Sequence, residues 1–273
     1  MFKAIEWVES PQAAIRLLDQ TELPAVEKYC DITDTASLVD AIQRLVVRGA
    51  PALGAAGAYG VALAMVEAER EGLPQDRLQE LIHSVRHARP TAVNLAWGVD
   101  QVHDLVPDGL QAVLAAAHRI AETDIANNKK LSELGADWIL AKTGKDKVRV
   151  VTHCNTGGLA TVGWGTALGI IRELHDRDAL EIVYADETRP LLQGARLTSW
   201  ELKQLGINHV VEADGAASST ILRGLVDVAI IGADRITANG DTANKVGSVA
   251  LALACDRAGI PFVVAAPTST IDM

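Results

Sequence analysis

The chain has 273 residues, 49% hydrophobic and 22% charged, a balance that describes a globular protein and excludes a disordered one. Aromatic residues make up only 4%, so stacking platforms for nucleic-acid bases are not expected, and the formal net charge of −10 repels a phosphate backbone at long range. An anionic ligand must then be held by a few local cations and helix N-termini within an acidic surface. Cys30, Cys154 and Cys255 fit neither a disulfide framework nor a zinc-ligand spacing, and point to a reducing compartment, the cytoplasm by default. The N-terminal MFKAIEWVES has no apolar core of signal-peptide length. The longest apolar stretch, around Gly54 to Val66, is studded with Gly and Ala and reads as a buried helix, not a membrane span.

In chain order, residues 1 to about 30 read as short strands and turns anchored by Ile5, Trp7, Ile15, Leu17 and Leu18. Asp34 or Thr35 can N-cap a helix whose apolar face is Leu38, Ile42, Leu45 and Val46, ending at VVRGAP. Arg48, Gly49, Ala50 and Pro51 form a break before the next helix: Gly49 lets the chain turn, and Pro51 suits a first helical turn. A helix N-terminus beside an arginine is an anion site, although an isolated RGAP also fits an ordinary connection with a solvated Arg. After a helix from Ala52 to about Glu71, another helix, His83 to Ala88, ends at RPTAVNLAWG, where Arg89 precedes a Pro at a helix entry. Thr91 and Asn94 there can contact a ligand or cap the helix. A helical pattern from Leu110 to about Leu140 ends near the polar segment Lys142–Lys147, giving a mostly helical N-terminal domain over 1–145.

From 146 to 273 strand and helix alternate, which predicts a Rossmann-like, doubly wound parallel sheet and an α/β fold overall. Strands are expected at Val148–His153, Glu181–Ala185, His209–Ala213, Val226–Ile231 and Pro261–Ala265. Helices are expected near Val162–His175, Leu191–Leu205, Ala216–Gly224 and Asn244–Ala258. Within THCNTGGLATVGWGTALGIIR, Cys154 falls at a strand's carboxyl end, where open α/β sheets bind ligands and a glycine-rich turn lets backbone N–H groups approach an anion. It reads as a reactive thiol beside a phosphate or, blandly, as a small side chain packed in a turn. Asp186, Glu187, Asp214 and Asp234 also follow strands, where an acid is more often a cap or an arginine's partner. Asp234 is the better chemical candidate, because Gly232 and Gly240 in IIGADRITANGDTANK let a ligand come near. Asn244 and Lys245 are read as the start of a helix that clamps a phosphate, and Gln193 and Arg196 as opening another helix at the same edge. No G-x-G-x-x-G with its ribose-binding acid and no G-x-x-x-x-G-K-[ST] is present, so a dinucleotide or NTP is not indicated. Cys30, Cys255 and the histidines are read as packing or surface residues, including His153, although it adjoins Cys154.

Taken together, LLDQTELP, VVRGAPALGAAGAYG, RPTAVNLAWG, the cysteine-glycine loop, DETRPLLQGARLTSWEL and GADRITANGDTANKVGS resemble the methylthioribose-1-phosphate isomerase family of methionine salvage, in order and over nearly the whole chain. The resemblance implies Cys154 as catalytic cysteine and Asp234 as catalytic acid. It implies Arg48, Gly49, Ala50, Arg89, Gln193, Asn244 and Lys245 as substrate-binding residues. The implied reaction is aldose-to-ketose isomerisation of a sugar phosphorylated at its anomeric oxygen, whose ring cannot open by the simple route of a free sugar. Asp234 would protonate the ring oxygen, which calls for burial among apolar walls. Cys154 would act as a thiolate base or assist a hydride shift between C2 and C1. No metal or organic cofactor, nucleic acid or membrane is called for, and a cytoplasmic homodimer is implied. Rival readings are an isomerase of ribose 1,5-bisphosphate or 5-deoxyribose 1-phosphate, and a non-enzymatic regulatory subunit of a translation initiation exchange factor. The family usually continues several dozen residues past AAPTSTID, a stretch that normally completes the C-terminal domain.

Overall fold

A computed structural model describes residues 2–9 and 11–272. Their contacts divide them into two compact units, one reaching to Ile125 and including Leu159–Gly163, the other made of Ala126–Gly158 and the residues from Trp164 on.

In the first unit, β1 (Ile5–Val8), β2 (Ala14–Leu18) and β3 (Tyr29–Ile32) form an antiparallel sheet with Ile5 opposite Leu17 and Leu17 opposite Cys30. Asp34 then caps α1 (Thr35–Gln43), its carboxylate accepting the Ser37 N–H at 2.8 Å. The helix α2 (Ala50–Glu71) carries Pro51 in its first turn. α3 (Gln75–Arg86) starts after Pro74, well before the His83 expected from the sequence. α4 (Val93–His103) starts at Val93, so that Pro90 lies in a turn closed by the Ala92 N–H on the Arg89 carbonyl and not at a helix entry. The small residues of α2 are what allow the packing. A Cβ on Gly57 would lie 2.4 Å from the Leu95 carbonyl, and one on Gly98 2.0 Å from that of Gly54, so the α2 and α4 backbones touch. By length and composition α2 is apolar enough to cross a membrane, yet Ala52–Ala64 are all buried, as expected of a core helix.

The long helix α5 (Leu110–Thr143) runs through Lys142 without a break, so the compact units part at Ile125/Ala126 and not at the polar segment near residue 145. Its later residues pack in the second unit: a Cβ on Gly135 would meet Ile170, and Ala136 and Ile139 share a core with Leu168 and Ile171.

The second unit continues as β4 (Val148–Thr152), α6 (Ala167–Asp176), β5 (Leu180–Asp186), α7 (Ser199–Gln204), β6 (His209–Glu212), α8 (Ala217–Leu222) and β7 (Val228–Ile231). A small sheet follows from β8 (Arg235–Thr237) and β9 (Thr242–Ala243), then α9 (Ser248–Ala258), β10 (Phe262–Val264) and β11 (Ile271–Asp272). The main sheet is parallel, in the order β10-β7-β4-β5-β6. Consecutive strands thus run outward from β4 to β6, and the chain then returns to place β7 on the other side of β4. That reversal makes the carboxyl ends of β4 and β7 the switch point of a Rossmann-type sheet. Alternation along the central strands sends Val150, Val228 and Ile230 to one apolar core with α6, and Val151, Ala229 and Ile231 to another with α8 and α9.

At the opposite, amino end of β4, the Asp227 carboxylate accepts Lys145 Nζ at 2.6 Å, Arg149 Nη2 at 2.7 Å, and the Arg149 backbone N–H at 2.8 Å. Burial alone pushes this carboxyl up, but the cations and the N–H outweigh it and bring it down from 3.8 to about 2. A depressed carboxyl contributes stability above its unfolded pKa and loses it as pH falls through the folded value. Asp227→Asn is therefore expected to cost roughly 2 kcal/mol in urea unfolding at pH 7, a deficit that shrinks below the ordinary carboxylate pKa of 3.8 and vanishes near pH 2.

Candidate active site

In the second unit the site is built at the sheet's switch point. Thr152 closes β4 by donating its hydroxyl to the Ile230 carbonyl of β7 at 2.8 Å. The chain then kinks, and Cys154 takes φ = 70°, a left-handed conformation costly for a residue with a Cβ. Two threonines hold it there. The Cys154 N–H donates to Thr188 Oγ1 at 2.9 Å, and Thr198 Oγ1 donates to the Cys154 carbonyl at 2.7 Å. The kink leaves Sγ half-buried and facing Gln193, whose Nε2 donates to it at 3.2 Å.

Gln193 is 3% exposed, and its Oε1 is buried with no partner among the described residues. It opens a π-helical turn, Gly194–Thr198, that runs into α7. Gly194 is required because a Cβ there would lie 1.7 Å from the Asp186 carbonyl. The preceding loop is itself strained, with Thr188 at φ = 62° and Leu192 at φ = 57°, and it is pinned by Asp214, which accepts the N–H groups of Thr188 and Arg189 at 2.7 Å each. Asp214 is thus a structural clamp. Beyond Cys154, Asn155 donates to Glu201 Oε1 at 2.7 Å, and Gly157 lies so close to the Glu201 carboxylate that a Cβ would be 2.3 Å from it. Glu201 and Asn155, neither singled out in the sequence, brace the glycine loop from below.

The loop after β7 lies against this turn: a Cβ on Gly232 would meet the Thr156 methyl at 2.7 Å. Asp234 follows on the same loop, its N–H donating to the Ala243 carbonyl at 2.9 Å, beside Asn244 and Lys245 in sequence. Two expectations are corrected here. Asp234 is exposed, not walled in by apolar side chains, because it stands at the root of the β8–β9 hairpin. Asn244 and Lys245 precede the helix instead of opening it: Gly247, at φ = 111°, makes the turn, and α9 begins at Ser248. Asn244 Nδ2 instead donates to Ser248 Oγ at 2.9 Å, and that hydroxyl donates to the Lys245 carbonyl at 2.9 Å.

His153, read from the sequence as a packing or surface residue, is built into the floor of this turn more firmly than that reading implies. Its ring is fully buried, with Nδ1 2.7 Å from Asp186 Oδ2 and Nε2 2.8 Å from the Val246 carbonyl. Burial works against a charged imidazole, but Asp186 and the Val246 carbonyl prevail and raise it above its ordinary value. The available signals were its place before Cys154 and the acid that ends β5.

In the first unit, Arg48, Gly49 and Ala50 form the entry to α2. Gly49 has φ = 94°, and a Cβ would lie 2.1 Å from the Ala160 carbonyl, so only glycine lets this turn pack on its neighbour. The structure brings Arg48 and Arg89 near each other. Burial, and then the Arg48 charge, lower the pKa of Arg89, and Arg48 Nη1 is buried with no partner. Neither guanidinium forms an ion pair among the described residues, which leaves two cations that an oxyanion would relieve.

The class that carries a Rossmann-type sheet, a strained cysteine at its switch point and this guanidinium pair follows from comparison: residues 46–273 match the initiation factor 2 subunit family, and the chain belongs to that family. Within it, the chain is similar to proteins named methylthioribose-1-phosphate isomerase. The one from Alkalilimnicola ehrlichii is 49% identical over 99% of this chain and 78% of its own length, and the one from Thioalkalivibrio sulfidiphilus is 47% identical over 95% and 75%. Among solved structures, 5-methylthioribose 1-phosphate isomerase from Pyrococcus horikoshii superposes with a TM-score of 0.90 at 35% identity, over 100% of this chain and 77% of that one. The translation initiation factor eIF-2B subunit delta from A. fulgidus superposes with a TM-score of 0.87 at 39% identity, over 100% and 79%.

The guanidinium pair makes its own prediction. Arg48→Met should weaken binding of inorganic phosphate by roughly tenfold or more, the size of one charge-assisted hydrogen bond, in titration calorimetry. It should also leave the urea midpoint at or above that of wild type, since like charges are separated.

Proposed function

We propose that this protein is an isomerase that converts S-methyl-5-thioribose 1-phosphate, an aldose, into S-methyl-5-thioribulose 1-phosphate, a ketose. The observation that carries the reading is Cys154, held in a left-handed turn at the switch point with its sulfur on Gln193, in a chain 49% identical to an isomerase of that name. Identities of 44–49% to several such isomerases, over 94% or more of this chain, favour this substrate over other aldose 1-phosphates and over a regulatory subunit.

The phosphate on the anomeric oxygen blocks simple ring opening, so the enzyme must supply a proton to the ring oxygen and move one hydrogen from C2 to C1. No atom is gained or lost. Asp234 takes the proton traffic at the ring oxygen and hydroxyls, and Cys154 stands beside the migrating hydrogen. Gln193 holds a sugar hydroxyl, Gly49 and Ala50 offer backbone at the entry to α2, and Arg48, Arg89, Asn244 and Lys245 serve the phosphate. A cytoplasmic homodimer is part of the reading, supported by three cysteines free of disulfides and by apolar side chains left exposed on α9 at Val249 and Leu253.

The test is turnover of methylthioribose 1-phosphate by the purified chain beside Cys154→Ser and Asp234→Asn. Wild type is expected to form the ketose, and each variant to lose about two to four orders of magnitude in kcat. Equal rates in all three would remove both side chains from the chemistry. An inactive wild type would return the chain to the regulatory-subunit reading.

A further inference from the structure

We propose that His153 is a positioning residue: a buried imidazolium, balanced by the Asp186 carboxylate and backed by a neutral Glu212, that ties the Cys154 turn to the segment carrying Lys245. The role of Lys245 in this statement rests on the proposed function; the charge state of the cluster does not.

The geometry starts from Val246. Its carbonyl can only accept, so His153 Nε2, 2.8 Å away, must carry a proton. At the other end Nδ1 faces Asp186 Oδ2 at 2.7 Å, which also accepts when ionised. The surroundings keep the second proton on the ring. Asp214 brings another carboxylate oxygen, within 4.8 Å of the His153 and Asp186 atoms, and that oxygen is occupied as an anion by the backbone N–H groups it clamps.

Asp186 Oδ1 and Glu212 Oε1 are both buried acceptors without a donor, on residues paired across the parallel β5–β6 ladder, so that the two side chains stand side by side on one face of the sheet. Two carboxyl groups buried side by side do not both ionise, and a proton shared between them gives each of these oxygens a partner. Thr220 already donates to the other oxygen of Glu212, so the proton belongs on Glu212 Oε1 and points at Asp186 Oδ1. Asp186 then accepts one proton from each side and stays the anion. The groups facing this cluster are Asp186 and Glu187 from the end of β5, Glu212 and Asp214 from β6 and beyond, and the Val246 carbonyl ahead of α9. Asp186 is the partner that neutralises the ring.

A second observation shows what the cation holds. A Cβ on Gly247 would lie 2.6 Å from the His153 ring, so the residue after Val246 is laid flat against the imidazole. Two residues before it is Lys245, and the residue after His153 is Cys154. One buried ring therefore sets the position of the lysine segment relative to the thiol.

The experiment uses the full chain labelled with nitrogen-15 in histidine, with the His153 signals assigned through backbone connectivity to Thr152 and Cys154. At pH 8 an ordinary histidine, with a pKa of about 6.5, is neutral. His153 is expected to show both ring N–H groups in wild type and in Glu212→Gln, whose amide donates to Asp186 as the neutral acid does. In Asp186→Asn it is expected to show a single ring N–H, and the KM for methylthioribose 1-phosphate should rise by about tenfold with a smaller change in kcat. A neutral His153 in wild type at pH 8, or loss of one ring N–H in Glu212→Gln, would overturn the proposal. If Asp186→Asn fails to fold, wild type and Glu212→Gln still decide the charge state, and Glu212→Ala supplies the KM arm by stripping Asp186 of its donor. If the wild type does not turn the sugar phosphate over, the proposed function fails while the histidine spectrum stands on its own.

Discussion

The Cys154 turn depends on a backbone that would not hold its shape alone. A cysteine at φ = 70° costs about 1–3 kcal/mol against an extended or helical residue, and it persists because Thr188 accepts its N–H and Thr198 donates to its carbonyl. Both threonines come from the segment after β5, so the strand next to β4 decides where the thiol points. The same segment carries Gln193, whose amide rests on the sulfur. Orientation of the thiol and of its hydrogen-bond donor thus come from one loop, and that loop is in turn clamped by Asp214 from beyond β6. Strain at the cysteine is carried across three adjacent strands instead of being stored in one turn.

An acidic chain that handles a phosphate must concentrate its cations and leave them unpaired. The surface arginines mostly meet carboxylates: Arg16 pairs with Asp31, Arg86 with Asp100 and Arg177 with Asp137 and Glu173. Arg48 and Arg89 differ in lacking such partners among the described residues, and burial, followed by the Arg48 charge, lowers the pKa of Arg89. Repulsion that costs stability in the free protein becomes attraction for an anion. Next to Arg48, Gly49 opens α2 with no side-chain cap on its first N–H groups, the kind of donors that favour an anion.

Much of this was legible in the sequence. The β-branched run at Val148 and the apolar pairs at Val228–Ile231 announced central parallel strands, and Asp34 announced a cap, because these signals are local. The place of Cys154 at the end of β4 was legible for the same reason: strand, cysteine and glycines are consecutive. What escaped was set by contacts far apart in the chain. Asn244 and Lys245 looked helical until the β8–β9 hairpin claimed Thr242 and Ala243 and Gly247 had to turn around the His153 ring, 94 positions earlier in sequence and invisible to any local pattern. The division between the compact units at Ile125/Ala126 had no sequence signal at all, because α5 is continuous there and only its packing partners change.

The strand-end acids show why a local reading sorted them unevenly. An aspartate after a strand always has backbone N–H groups near it, and Asp214 does what that position favours, accepting two of them. Asp186 ends β5 in the same kind of position, yet it is 1% exposed, meets a histidine instead of backbone donors, and stands beside another acid across the ladder. Burial divides the two. A carboxyl group removed from water must find protons to accept, and when the backbone supplies none, a side chain must. For Asp186 one of those protons comes from His153, so the need to satisfy one buried acid places a ring at the base of the thiol turn, and the ring fixes the segment on its other side.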